Sequence, residues 1–128
     1  MSATRRWTGL LFLSLAVAAL AHAGELPPTA KIEIDALLGT LGASECRFYR
    51  NGSWYSGSEA KDHLQLKLDY VVKKSGIATS EEFIEKAATK SILSGRPYVM
   101  RCPNQEETPS AVWFTHELRR FRDANAEK

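Results

Sequence analysis

The chain lacks the patterns that most often announce an activity. It has no Gly-x-Ser-x-Gly elbow and no phosphate-binding glycine loop. His116-Glu117 stands where a zinc-peptidase helix would begin, but Arg120 fills the position of the second histidine. With three histidines and two cysteines in 128 residues, neither a metal nor a cofactor is expected. Internal repeats and low-complexity runs are absent. No segment beyond the N-terminus approaches the roughly 20 apolar residues of a membrane-spanning helix, so no stable membrane insertion is expected of the rest of the chain. A basic excess is missing too: the formal charge is +2, and setting aside Arg5 and Arg6 takes Lys plus Arg from 17 to 15, equal to the 15 Asp plus Glu. Nucleic acid, which selects a strong basic excess or stripe, is therefore not an expected partner.

What the chain does have begins at its N-terminus. Arg5 and Arg6 precede the apolar run Leu10 to Ala21, and Ala21-His22-Ala23 forms a small-residue site before Gly24. This is the layout of a cleavable secretory signal peptide over residues 1 to about 23. Thr4-Arg5-Arg6 is a partial twin-arginine signature, but the leucine-rich run directly after it suits the general secretion route better. No cysteine stands directly after the cleavage site to carry a lipid. The expected product is a periplasmic, single-domain protein of residues 24–128. In that oxidising space Cys46 and Cys102, the only cysteines, are expected to form a structural disulfide. Closing so long a loop restricts the unfolded chain by roughly 4 kcal/mol. A redox role would call for a Cys-x-x-Cys pair at a helix start, and these two lie far apart.

The pattern along residues 24–128 predicts an α+β fold. Residues 24–29, with Pro27 and Pro28, read as an extended lead-in, and Ile34, Leu37, Leu38 and Leu41 place a first helix at about 30–41, stopped by Gly42. Asn51-Gly52 between two aromatic-rich runs predicts a two-residue hairpin over 46–56. That turn pairs Arg50 with Ser53, Tyr49 with Trp54 and Phe48 with Tyr55, which puts Cys46, Phe48 and Tyr55 on one face and Arg47, Tyr49 and Trp54 on the other. Ser56 with Glu59 reads as a capping box opening a second helix at about 58–74. Thr79 with Glu82 opens a third at about 80–90. A strand over 97–102 carries Tyr98, Met100 and Cys102 on one side and Val99 and Arg101 on the other, and a polar loop then leads to Pro109 and a fourth helix at about 110–123. Residues 124–128 read as a frayed tail. The expected architecture is a small, largely antiparallel three-stranded sheet packed by about four helices and held by one disulfide.

The succession Cys46-Arg-Phe-x-Arg-Asn-Gly-x-x-Tyr55, Ala60-x-x-His63-Leu64, Phe83-Ile84-Glu85-Lys86-Ala87, Ser94-Gly-x-Pro-Tyr98 and Trp113 resembles the YfeK-like family of small exported proteobacterial proteins, a domain of unknown function numbered 5329 in that series. The resemblance covers nearly all of residues 24–128. It implies export and a single domain, and it brings no activity, ligand or catalytic residue with it.

Three groups of residues are candidate sites. Arg47, Tyr49 and Trp54, with Arg101 alongside, could stack on a sugar ring or hold an anionic envelope fragment, because planar aromatics and guanidinium groups suit both. Their alternative reading is simply the outer side of a two-layer domain. Ser94-Gly95-Arg96-Pro97-Tyr98 resembles the Ser-Gly-x-x-Tyr loop that periplasmic lysozyme inhibitors insert into a glycosidase cleft, where the backbone turn and the Arg96 cation would meet two catalytic carboxylates. Its plainer reading is a glycine turn into a strand whose Tyr98 is core. His63, Lys67 and Tyr70 share one side of the second helix, which leaves a small envelope hydrolase as the alternative function, with His63 as base and Ser94 or Ser56 as nucleophile. No catalytic residue is assigned. The leading expectation is a non-enzymatic binding module, in its sharpest form an inhibitor or immunity-type protein, whose partner is a periplasmic protein or a cell-envelope component.

Overall fold

The structure, a computed structural model, describes residues 24–126 together with the isolated positions 4, 9 and 128. The leader expected at residues 1 to 23 therefore lies outside the described segment. No helix among the described residues is long and apolar enough to cross a membrane.

Helix α1, Pro28–Ala43, starts two residues earlier than its apolar spacing implies, because Pro27 takes an extended cap conformation and Pro28 fits the first helical position, where no N–H is needed. The extended lead-in is thus shorter than 24–29. Nor does Gly42 stop the helix: α1 runs through it to Ala43, and the Ser44 N–H and hydroxyl then both donate to the Leu41 carbonyl. The hairpin β1 (Arg47–Arg50) and β2 (Ser53–Ser56) has the register its Asn-Gly turn dictates, Phe48 opposite Tyr55 and Tyr49 opposite Trp54, with Asn51 at φ 48° and Gly52 at φ 89°.

Helix α2, Gly57–Lys74, opens on the full capping box: the Ser56 hydroxyl accepts the Glu59 N–H, and the Glu59 carboxylate accepts the Ser56 N–H. Its first residue has to be glycine, since a Cβ at position 57 would lie 2.2 Å from the Leu41 carbonyl oxygen where the end of α1 crosses it. Helix α3, Ser80–Ala87, is three residues shorter than the 80–90 expected. The chain beyond it is recruited elsewhere. Thr89 turns its hydroxyl back onto the Ile84 carbonyl and its own carbonyl accepts the Tyr98 N–H, while Lys90 bridges Pro97.

The sheet has four strands, not three, in the order β2-β1-β3-β4 and antiparallel throughout. Strand β3 is Val99–Arg101, within the expected 97–102. The extra strand β4 is the two-residue segment Thr108–Pro109, which pairs with Met100 and Val99. Pro109, directly before the helix, lies on the sheet edge, where a missing N–H is tolerated. Helix α4 follows as Ser110–Ala126, three residues past the expected end at 123, so the frayed tail does not begin at 124. Cys46 and Cys102 are joined, stapling the chain just before β1 to the chain just after β3.

Alternation along the strands sends Phe48, Tyr98 and Met100 to one face, where all three are buried among Ile34, Leu37 and Leu38 of α1, Leu64 and Leu68 of α2, Phe83 of α3 and Phe114 of α4. Helices α2 and α4 pack on the strands, and α1 and α3 pack on them in turn. One ion network ties the helical layer together. Glu33 of α1, 8% exposed, accepts Arg122 of α4 through Nε at 2.7 Å and Nη2 at 3.0 Å and the Ser80 hydroxyl of α3 at 2.8 Å, while Arg122 also reaches Glu81. The Arg122 hydrogen bonds hold both carboxyls below the usual range.

Candidate functional site

The opposite sheet face is partly open to solvent, and strand register decides what stands there. One cross-strand row is Trp54, Tyr49, Val99 and Pro109; the next carries Ser56, Arg47 and Arg101. Tyr49 and Trp54 are half-buried, with ring centroids 5.0 Å apart, and the Arg101 guanidinium lies 4.2 Å above the Trp54 ring. Glu107 pairs with Arg101 from the chain between β3 and β4 and fixes it over the indole. Arg47 is exposed and has no ion pair among the described residues. The residues Arg47, Tyr49, Trp54 and Arg101, read from the sequence as one group, do form one surface.

Arg96 and Tyr98 do not join it. Arg96 is exposed in the turn that precedes β3, and its N–H donates to the Ser94 hydroxyl. That turn, with Gly95 at φ 71°, is clamped to the hairpin: Asn51 donates to the Ser91 hydroxyl at 3.1 Å and accepts from the Ser94 hydroxyl at 2.6 Å. Tyr98 is only 2% exposed, with its ring 4.9 Å from Phe48, so it is a core residue and not a surface contact. Alternation places it on the inner face with Phe48 and Met100, which is the plainer of the two readings of the Ser94–Tyr98 segment.

The burial of Tyr98 exposes a cluster that sequence reasoning assembled only in part. Its hydroxyl accepts from the Lys67 Nζ at 3.0 Å and lies 3.4 Å from His63 Nε2. Lys67 also donates to the Lys90 carbonyl and is 6% exposed. Desolvation, reinforced by the charge of Arg50, pushes the Lys67 ammonium down to about 8. The same two causes, with Lys67 itself added, lower His63, whereas burial raises the Tyr98 phenol. Tyr70, grouped with His63 and Lys67 by helical spacing, faces solvent and pairs with Lys74.

The serines stand apart from this cluster. Ser56 is committed to the α2 cap and Ser94 to Asn51, so neither is within hydrogen-bond distance of His63, whose side-chain partner is Tyr98. No group of three or more His, Cys, Asp or Glu side chains able to hold a metal ion occurs among the described residues.

An α+β domain with a four-stranded antiparallel sheet, helices on one face and an aromatic-guanidinium patch on the other is the class this fold defines. Residues 28–122 match the model described as "Family of unknown function (DUF5329)", and the chain belongs to that family. It is 39% identical over 66 residues to the uncharacterized protein YfeK of Salmonella typhimurium, a match that covers 51% of this chain and 53% of that protein. The matched segment thus spans about half the length of that curated relative. No solved structure matches the chain.

Proposed function

We propose that this protein is an exported binding module whose working surface is the outer face of the sheet, and that it holds a component of the cell envelope or a protein acting on the envelope. The observation that carries this reading is the Tyr49–Trp54 pair flanked by the guanidinium groups of Arg47 and Arg101 on a face left partly open. Aromatic rings cover the apolar face of a sugar, and guanidinium groups grip carboxylates in a planar fork. An anionic glycan, or an acidic loop of a partner enzyme, offers both features. An inhibitor or immunity-type protein is the sharpest form of the reading.

Export of residues 24–128 as one domain is supported by the leader pattern at residues 1 to 23 and by the disulfide, which suits an oxidising compartment. The small-hydrolase alternative has less to stand on, because catalysis by His63 needs a nucleophile within its reach and neither Ser56 nor Ser94 is.

The test is affinity capture from periplasmic extract with the oxidised 24–128 chain and with its Tyr49→Ala/Trp54→Ala variant. A partner kept by the first and lost by the second is the expected result. Equal retention by both, or by neither, overturns the assignment of this face. N-terminal sequencing of the protein from a proteobacterial host should begin at Gly24 in the periplasmic fraction; an intact Met1 in the cytoplasm would overturn export.

A further inference from the structure

We propose that the cavity between the β1–β2 hairpin and helix α2 binds a small oxyanion, a carboxylate or phosphate group, gripped by Arg50 and His63 beside the Tyr98 hydroxyl. The cavity measures about 300 Å³ and is lined by Phe48, Arg50, Tyr55, Ala60 and His63, with Glu59 and Asp62 completing it. That is the small end of the range of ligand pockets, suited to a charged group and a short stem.

The cationic groups at this cavity lack ion-pair partners among the described residues. Arg50 and His63 line the cavity, and behind them Lys67, nine-tenths buried, is opposed only by neutral oxygens, those of Tyr98 and Lys90. No carboxylate lies within ion-pairing distance of any of the three among the described residues. Buried charges in folded proteins are as a rule paired, since an unpaired one is strongly destabilising, and after burial the charge of Arg50 lowers both Lys67 and His63, so these groups feel a positive field. Of the two acids, Glu59 is committed to the α2 capping box, and Asp62 is exposed. An anion entering beside Arg50 would meet a guanidinium fork, an imidazole N–H and the field of a desolvated ammonium, which are the elements of a strong charge-assisted site.

The site is separate from the outer sheet face: Tyr49 and Trp54 point to the other side of the hairpin from Phe48 and Tyr55. Its test is therefore independent of the proposed function. Amide NMR of the oxidised protein is titrated with inorganic phosphate and, separately, with acetate, at neutral pH and constant ionic strength. Saturable shifts are expected at Arg50, Tyr55 and His63 with a Kd on the order of 1 mM. Arg50→Gln, a half-buried position whose replacement leaves the core intact, should weaken binding about tenfold, and Asp62→Asn should strengthen it about twofold by removing a like charge at the rim. Saturation by phosphate alone or by acetate alone identifies which oxyanion the site takes. Absence of saturable shifts with both ions, or equal affinity in wild type and Arg50→Gln, would overturn the proposal.

Discussion

Lys67 should make this protein more stable in mild alkali. Desolvation lowers its ammonium from 10.5 to about 8, so between those pH values the unfolded chain binds a proton that the folded chain has released. Stability then rises with pH through that window, because the unfolded state holds more protons there. The gap of about 2.5 pH units, at 1.36 kcal/mol per unit, corresponds to roughly 3 kcal/mol. The assay is urea denaturation at several pH values from 7 to 11, disulfide intact, for wild type and Lys67→Met. Methionine replaces the apolar stem and removes the charge, and its loss of the hydrogen bonds to Lys90 and Tyr98 adds an offset that does not change with pH. His63, which Lys67 also lowers, titrates below this window, and the groups that Lys67 does not shift are common to both proteins and cancel in the difference. The wild-type curve should climb relative to the variant between pH 8 and 10.5 and run parallel to it below. Parallel curves across the whole range would show that Lys67 is solvated in the folded state and refute the reasoning.

Three further perturbations have defined outcomes. Arg122→Met leaves the Glu33 carboxylate buried beside a lone serine donor, and chemical denaturation should register a loss of about 3 kcal/mol. Ser56→Ala removes one half of the capping box that opens α2 and should cost about 1 kcal/mol, with helical circular dichroism unchanged at low temperature. Reducing the Cys46–Cys102 bond, which closes a loop of 56 residues, should remove about 4 kcal/mol of stability, read as a drop in the urea midpoint in the presence of dithiothreitol.

Local chemistry was the legible part of this chain. Asn51-Gly52 admits one hairpin geometry, and from it the register, the two faces and the meeting of Tyr49 with Trp54 all follow. Ser56 and Glu59 mark the start of α2, and two cysteines in a chain with a leader pattern can pair in only one way. The misses share a physical cause, competition from residues distant in sequence. Strand β4 is two residues of polar loop made into an edge strand by the backbone of Val99 and Met100, and no periodicity can be read from two residues. Helix α3 ends early because Thr89 and Lys90 are taken up by Tyr98 and Pro97. Gly42 would stop a helix in isolation, yet here the apolar stripe of α1 carries the helix one residue past it.

The same cause limited what could be read of the sites. Arg47, Tyr49, Trp54 and Arg101 are near neighbours in a register the turn fixes, so they were found together. Lys67 shares a helix side with His63 in the sequence, but its burial is not legible there, because it depends on the Tyr98 hydroxyl and the Lys90 carbonyl, 31 and 23 positions away. Helical spacing of His63 with Lys67 was the one signal pointing there. It also drew in Tyr70, which turns outward. Glu33 and Arg122, 89 positions apart, left no trace in the pattern at all.

The outer sheet face, not the helical face, is the proposed working surface. Site-specific photo-crosslinking in a proteobacterial host tests it directly, with the photoreactive residue placed at Arg47 on the sheet or at Leu66, 72% exposed on α2. A discrete adduct from position 47 and none from position 66 is the predicted result; an adduct from position 66 alone, or from neither position, would contradict the account.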